Sequence, residues 1–94
     1  MFLIKITYTK PLDVVEPYVA PHREFLKQGY EKDYLVVSGP QNPRVGGIII
    51  SQLKNREQLE TFFKQDPYQI NQLAEYDIIE FNPVMFHRDF ACFI

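Results

Sequence analysis

A small α+β domain, built in the order strand, helix, strand, strand, helix, strand, is predicted by three features of the sequence. Apolar residues alternate at the start of the chain, at Phe2, Ile4, Ile6 and Tyr8. Two segments with apolar residues at helical spacing, around His22–Leu26 and Leu59–Phe63, are separated by short runs rich in valine, isoleucine and aromatic residues. Finally, 94 residues leave room for one domain, and no linker, repeat or low-complexity stretch divides them.

The first strand carries Lys5, Thr7 and Thr9 between its apolar residues, as a half-buried strand does, and Pro11 ends it. From Leu12 to about Lys32 the period becomes helical, with Tyr18, His22, Phe25 and Leu26 on one face. Pro17 and Pro21 suit a first helical turn but not an interior, so a short turn should precede a main helix starting near Pro21. Gly29 should loosen the last turn of that helix. Tyr34–Ser38 is a second strand, followed by the turn-rich loop Gly39–Pro43. Val45 to Leu53 is a third strand, where Gly46 and Gly47 announce a bulge or a close backbone approach. Asn55 is placed to cap a helix bearing Leu59, Phe62 and Phe63. Pro67 stops that helix, because the residue before a proline is pushed out of the helical region. A short helix, Pro67 to Leu73, and a last strand, Tyr76 to Met85, complete the domain, and the tail Phe86–Ile94 is aromatic without a regular pattern.

This order is that of the split βαβ, or ferredoxin-like, fold, in which two helices cover one face of a four-stranded antiparallel sheet. Apolar residues occur at both parities of the strands. In the last strand Ile78 and Val84 point one way and Ile79, Phe81 and Met85 the other; in the second, Val36 opposes Leu35 and Val37. The face without helices therefore needs cover, and the simplest source is a second copy of the chain about a two-fold axis. A homodimer is expected, with further assembly of dimers left open.

The composition is 46% hydrophobic and 15% aromatic with a net charge of −2, which excludes a disordered chain. Ten basic residues scattered among twelve acidic ones make no phosphate-binding surface, so nucleic acid is not an expected partner. No apolar run is long enough to span a bilayer, and the alternating N-terminus does not resemble a signal peptide. A lone cysteine, Cys92, forms no internal disulfide, which points to a reducing, cytoplasmic setting without membrane partners.

Five segments, Tyr-Thr-Lys-Pro-Leu (8–12), Pro-His-Arg-Glu-Phe-Leu (21–26), Ser-Gly-Pro-Gln-Asn-Pro-Arg-Val-Gly-Gly (38–47), Asp-Pro-Tyr (66–68) and Glu-Tyr-Asp-Ile-Ile-Glu-Phe (75–81), in this order and spacing, resemble the YCII-related proteins. The resemblance runs from residue 1 to about 86. It implies a dimeric α+β barrel and an active site containing a His–Asp pair, here His22 and Asp66. Most members of that family have no assigned activity. Some are similar to enzymes acting on halogenated or hydroxylated aromatic breakdown products, and others look like stand-alone accessory proteins.

His22 shares the inward helical face with Phe25 and Leu26, where it is either a hydrogen-bonded core histidine or a general acid or base. Asp66 before Pro67 has the form of a helix N-cap, and its second oxygen leaves room to orient His22 as well. Arg44 could bind a substrate carboxylate or enolate through its planar fork, or form a surface salt bridge. Ser38 could face the pocket or cap a turn, and Tyr8 and Tyr68 are candidate pocket walls. His22 and His87 have no ligands at metal-binding spacing, so no metal is expected. No phosphate-binding glycine loop or nucleophile elbow is present, so no cofactor is expected either. The resulting expectation is a cofactor-independent enzyme performing elimination, isomerisation or hydrolysis on a small metabolite, an aromatic one among the candidates. The alternative is a non-catalytic dimer that binds a small ligand.

Overall fold

The computed structural model describes residues 1–94. Strand β1 (Phe2–Tyr8) leads through the one-turn helix α1 (Leu12–Val15) and a 3-10 turn (Glu16–Tyr18) into helix α2 (Val19–Glu31). Strands β2 (Leu35–Pro40) and β3 (Gly46–Ser51), helices α3 (Arg56–Phe63) and α4 (Pro67–Ile70) and strand β4 (Ala74–Glu80) follow, and a 3-10 segment (Arg88–Phe93) closes the chain. All four strands join one antiparallel sheet in the order β2-β3-β1-β4. This is the expected ferredoxin-like α+β fold. No helix is long and apolar enough to cross a membrane.

Because β1 is central, its inward side chains have neighbours on both sides and a helical layer above. Phe2, Ile4 and Ile6 are fully buried against Phe25 and Leu26 of α2 and Leu59, Phe62 and Phe63 of α3. Burying one such side chain contributes about 1.5–3 kcal/mol, so these contacts fix the helices onto the sheet. Asn55 caps α3, accepting the Gln58 amide at 2.9 Å.

Helix α2 begins at Val19, two residues before the expected start. Pro21 still lies in its first turn, where amide groups have no intrahelical acceptor and a missing N–H costs nothing. Gly29 does not loosen the helix. It is buried inside α2, where a Cβ would come within 2.7 Å of Leu35 Cδ1 and 2.8 Å of Phe62 Cζ, so its bare backbone lets α2 pack closely.

The close approach expected at the glycines is at Gly46, where a Cβ would lie 1.7 Å from the Ile6 carbonyl oxygen. The bulge is on the partner strand, where the register passes from Leu35↔Ser51 to Val37↔Ile50. The extra residue corrects the expected alternation in β2: Leu35 faces the core at 3% exposure and Val37 the other side at 54%. Strand β4 is also displaced, running Ala74–Glu80 instead of Tyr76–Met85. It pairs with β1 from Tyr8↔Ala74 to Phe2↔Glu80, and the Phe81 amide takes the Met1 carbonyl. Val84 and Met85 lie past the end of β4 and belong to the tail, 83% and 90% exposed.

On the sheet face away from the helices stand Leu3, Ile48 and Ile50, half-buried, and the exposed Val37 and Ile79. Part of the tail lies near Ile50, where Met1, Phe81, Phe86 and Phe90 help to line a shallow apolar groove.

Candidate active site

Asp66 is the most buried ionisable residue, with no exposed surface. As the N-cap of α4 it is held in extended backbone between Phe63 at the end of α3 and Pro67 at the first position of α4. Its Oδ1 accepts the Tyr68 backbone N–H at 3.0 Å and lies 2.8 Å from His22 Nδ1, and its Oδ2 accepts the Tyr76 hydroxyl at 2.5 Å. The cap and the histidine contact therefore coexist on one carboxylate, as a buried acceptor with several lone pairs requires.

The His22 ring stacks on Tyr68, centroids 3.9 Å apart and planes 7° from parallel. Tyr8 meets Tyr68 edge-on at 5.8 Å. With Nδ1 engaged by Asp66, the proton on that nitrogen is fixed and Nε2 carries the free lone pair. Nε2 has no hydrogen-bond partner in the protein and is not among the buried unpaired atoms, which are limited to Gln41 Oε1. The imidazole thus presents its basic nitrogen to the adjoining cleft.

That cleft, about 350 Å³, lies between α2 and the β2–β3 hairpin, with β1 at its floor. Tyr8, His22, Ser38, Arg44 and Tyr68 all line it, so the residues singled out in the sequence converge, with Asp66 just behind His22. Ser38 lies within β2 and shares a 2.6 Å hydrogen bond with the Tyr30 hydroxyl instead of capping a turn. Arg44 forms the salt bridge considered for it, Nη1 to Glu16 Oε2 at 3.0 Å, while also facing the cleft. The Tyr8 hydroxyl beside it, and then the Glu16 charge, raise the Arg44 pKa against the opposing effect of burial. Burial first, then the Asp66 charge, push the Tyr76 hydroxyl well above its ordinary range, and burial followed by the neighbouring Tyr8 does the same to Tyr68. Both stay protonated at neutral pH, so Tyr76 is a permanent donor to Asp66. No three His, Cys, Asp or Glu side chains are grouped as a metal site would need.

The model of the YCII-related domain matches residues 1–82. The chain belongs to the YCII-related domain family. The match ends two residues after β4, so most of the tail lies beyond the family domain. No curated protein matches this YCII-related chain in sequence. Among solved structures it is similar to 5-chloro-2-hydroxyhydroquinone dehydrochlorinase from Burkholderia phenoliruptrix AC1100, in complex with 2,5-dihydroxybenzoquinone. The TM-score is 0.71 at 18% identity, covering 87% of this chain and 94% of that one. At that identity the likeness establishes the shared fold.

Four residues of the cleft or its support were not singled out from the sequence. Tyr76 has the inward parity of Ile78 on β4, opposite Ile6, and that register was the available signal. Arg23, Lys27 and Tyr30 recur at i, i+4 and i+7 on α2, beside the inward stripe Val19, His22 and Leu26, and both stripes line the cleft. Helical spacing alone does not reveal that a polar stripe borders a cleft instead of bulk water.

Proposed function

We propose that this YCII-related protein is a cofactor-independent acid–base enzyme acting on a small hydroxylated aromatic molecule, with His22 as the proton-transferring group. The observation that carries this is the polarised imidazole: Nδ1 at 2.8 Å from fully buried Asp66, and Nε2 free at the wall of a cleft of about 350 Å³. A cleft of this size holds a single ring with its substituents. His22 Nε2 takes a proton from a ring hydroxyl or an acidic carbon, and the electron pair left behind delocalises as an enolate or phenolate facing Arg44. The pair then either expels a leaving group, which is elimination, or captures a proton at another carbon, which is isomerisation. Asp66 orients His22 through Nδ1, while Tyr76 holds the far oxygen of Asp66. Tyr8, Tyr68 and Ser38 bound the substrate.

The fold shared with a dehydrochlorinase solved with a dihydroxybenzoquinone supports the choice of substrate class without fixing it. The working unit in this proposal is a homodimer in which a second copy covers the open sheet face. The unpaired, exposed Cys92 suits a reducing compartment such as the cytoplasm.

The test is turnover of a panel of chlorinated and hydroxylated hydroquinones, followed by ultraviolet absorbance. A positioned acid–base group contributes about 10²–10⁴-fold, so His22→Gln should lose that much in kcat with its fold intact. Asp66→Asn, which keeps a good N-cap, should lose activity while α4 remains formed. Turnover by His22→Gln at the wild-type rate would remove the proposal.

A further inference from the structure

The cleft walls are electrically one-sided. Of the residues lining it, Arg23, Lys27 and Arg44 are cationic and none is Asp or Glu, in a chain whose acidic residues outnumber its Lys and Arg by twelve to ten. The three cations form two groups. Arg44 stands on the loop before β3, close to Tyr8. Arg23 and Lys27 lie one turn apart on α2, separated by about 6 Å of helix rise. His22 precedes Arg23 directly on α2, and its imidazole stacks on Tyr68, which meets Tyr8 beside Arg44, so His22 adjoins both groups of cations.

The cations retain capacity for a ligand. Arg23 makes no ion pair with any carboxylate of the protein. Lys27 is paired with Glu24 at 2.9 Å, but both side chains are largely in water, where such pairs are weak and exchange readily. Arg44 gives Glu16 one nitrogen of a guanidinium that has five N–H donors, leaving others for a second acceptor. Glu16 and Glu24 both lie outside the cleft lining, so no carboxylate of the lining competes with a bound anion.

We propose that the cleft selects small aromatic dianions, holding one anionic group on Arg44 and the second on Arg23 and Lys27, with the ring between them beside His22. This deepens the acid–base proposal and rests on its cleft. Arg23 and Lys27 are the specificity-determining residues, because a singly charged ring can be satisfied by Arg44 alone.

Two probes of nearly the same shape separate charge from size: terephthalate, with two carboxylates, and 4-methylbenzoate, with one. Their affinities for the full chain are measured by NMR chemical-shift titration at low salt. Terephthalate should bind at least about tenfold more tightly, and the ratio should shrink in high salt as the interactions are screened. The double variant Arg23→Gln/Lys27→Gln, at exposed positions that leave the core untouched, should bring the ratio close to one. His22→Gln should keep the preference, because binding is read without turnover, so this test and the catalytic one fail separately. Equal affinity of the wild type for the two probes, no saturable shift with either, an unchanged ratio in the double variant, or loss of the ratio in His22→Gln would each overturn the proposal.

Discussion

Asp66 shows what a residue's neighbours in sequence reveal and what they hide. Asp-Pro at a helix start is a local signal, and the cap it announces is present, with the Tyr68 amide on Oδ1. The contact with His22 spans 44 positions and the one with Tyr76 spans ten, and no local pattern encodes either. The pairing with His22 follows from the family resemblance and not from local pattern, and in the sequence Tyr76 reads as an ordinary strand residue. Its burial beside Asp66 has a measurable consequence. The Tyr76 pKa is raised on folding, so the neutral hydroxyl's contribution to stability is complete below the unfolded value near 10 and is lost as pH rises above it. Between the unfolded and folded values one tyrosine lowers the unfolding free energy by about 1.4 kcal/mol per pH unit. Urea unfolding of wild type and Tyr76→Phe, compared from pH 8 upward, should give parallel stabilities to about pH 10 and a shallower decline in the variant above it. A decline of equal slope in both proteins would show that Tyr76 is not held neutral by its site.

At the scale of elements, periodicity and the prolines located the four strands and the helices that pack on them but not the 3-10 segment Arg88–Phe93, and they misplaced the points where one element depends on another. The end of β4 is set by the end of β1, so a run of apolar residues continuing to Met85 could not reveal it. The bulge in β2 needs a partner register to exist at all, and its reversal of Val37 cannot be read from alternation. The glycines of β3 were legible as a close approach, and Gly46 turns that into a prediction. A methyl group there would meet the Ile6 carbonyl, a backbone atom in the central strand that cannot swing aside as a side chain would. Gly46→Ala should cost about 3 kcal/mol in denaturant unfolding and displace Arg44, two residues earlier, from the cleft. Gly39 faces open space, and no glycine has a positive φ, so Gly39→Ala should stay within about 0.5 kcal/mol of wild type. Similar losses at both positions would mean that intrinsic strand propensity, not the β1–β3 contact, governs this hairpin.

For the whole molecule the decisive feature is the sheet's second face. One face is sealed by α2 and α3, whose aromatic residues Phe25, Phe62 and Phe63 pack on one another and on β1. The other presents Leu3, Ile48, Ile50, Val37 and Ile79 across all four strands, with Val37 and Ile79 about half exposed at 54% and 49%. Monomeric proteins rarely leave an apolar patch of this continuity in water, whereas two such faces packed together form an interior of the usual sheet-on-sheet kind. The apolar tail beyond Glu80, with Phe81, Met85 and Phe86 exposed beside the same face, adds to the surface a second copy would cover. Lys5 and Asp77 face each other across β1 and β4 on this side, so a two-fold arrangement would have to leave them at a wet rim or pair them with the opposite copy. Sedimentation equilibrium at micromolar concentration should therefore show a species of twice 11.1 kDa. Ile79→Glu places a charge on the β4 side of that apolar face while leaving the inner core untouched. It should shift the equilibrium to monomer without loss of helical circular dichroism. A folded wild-type monomer of 11.1 kDa at that concentration would refute the dimer and leave the outer face to be explained as a surface exposed in the working protein.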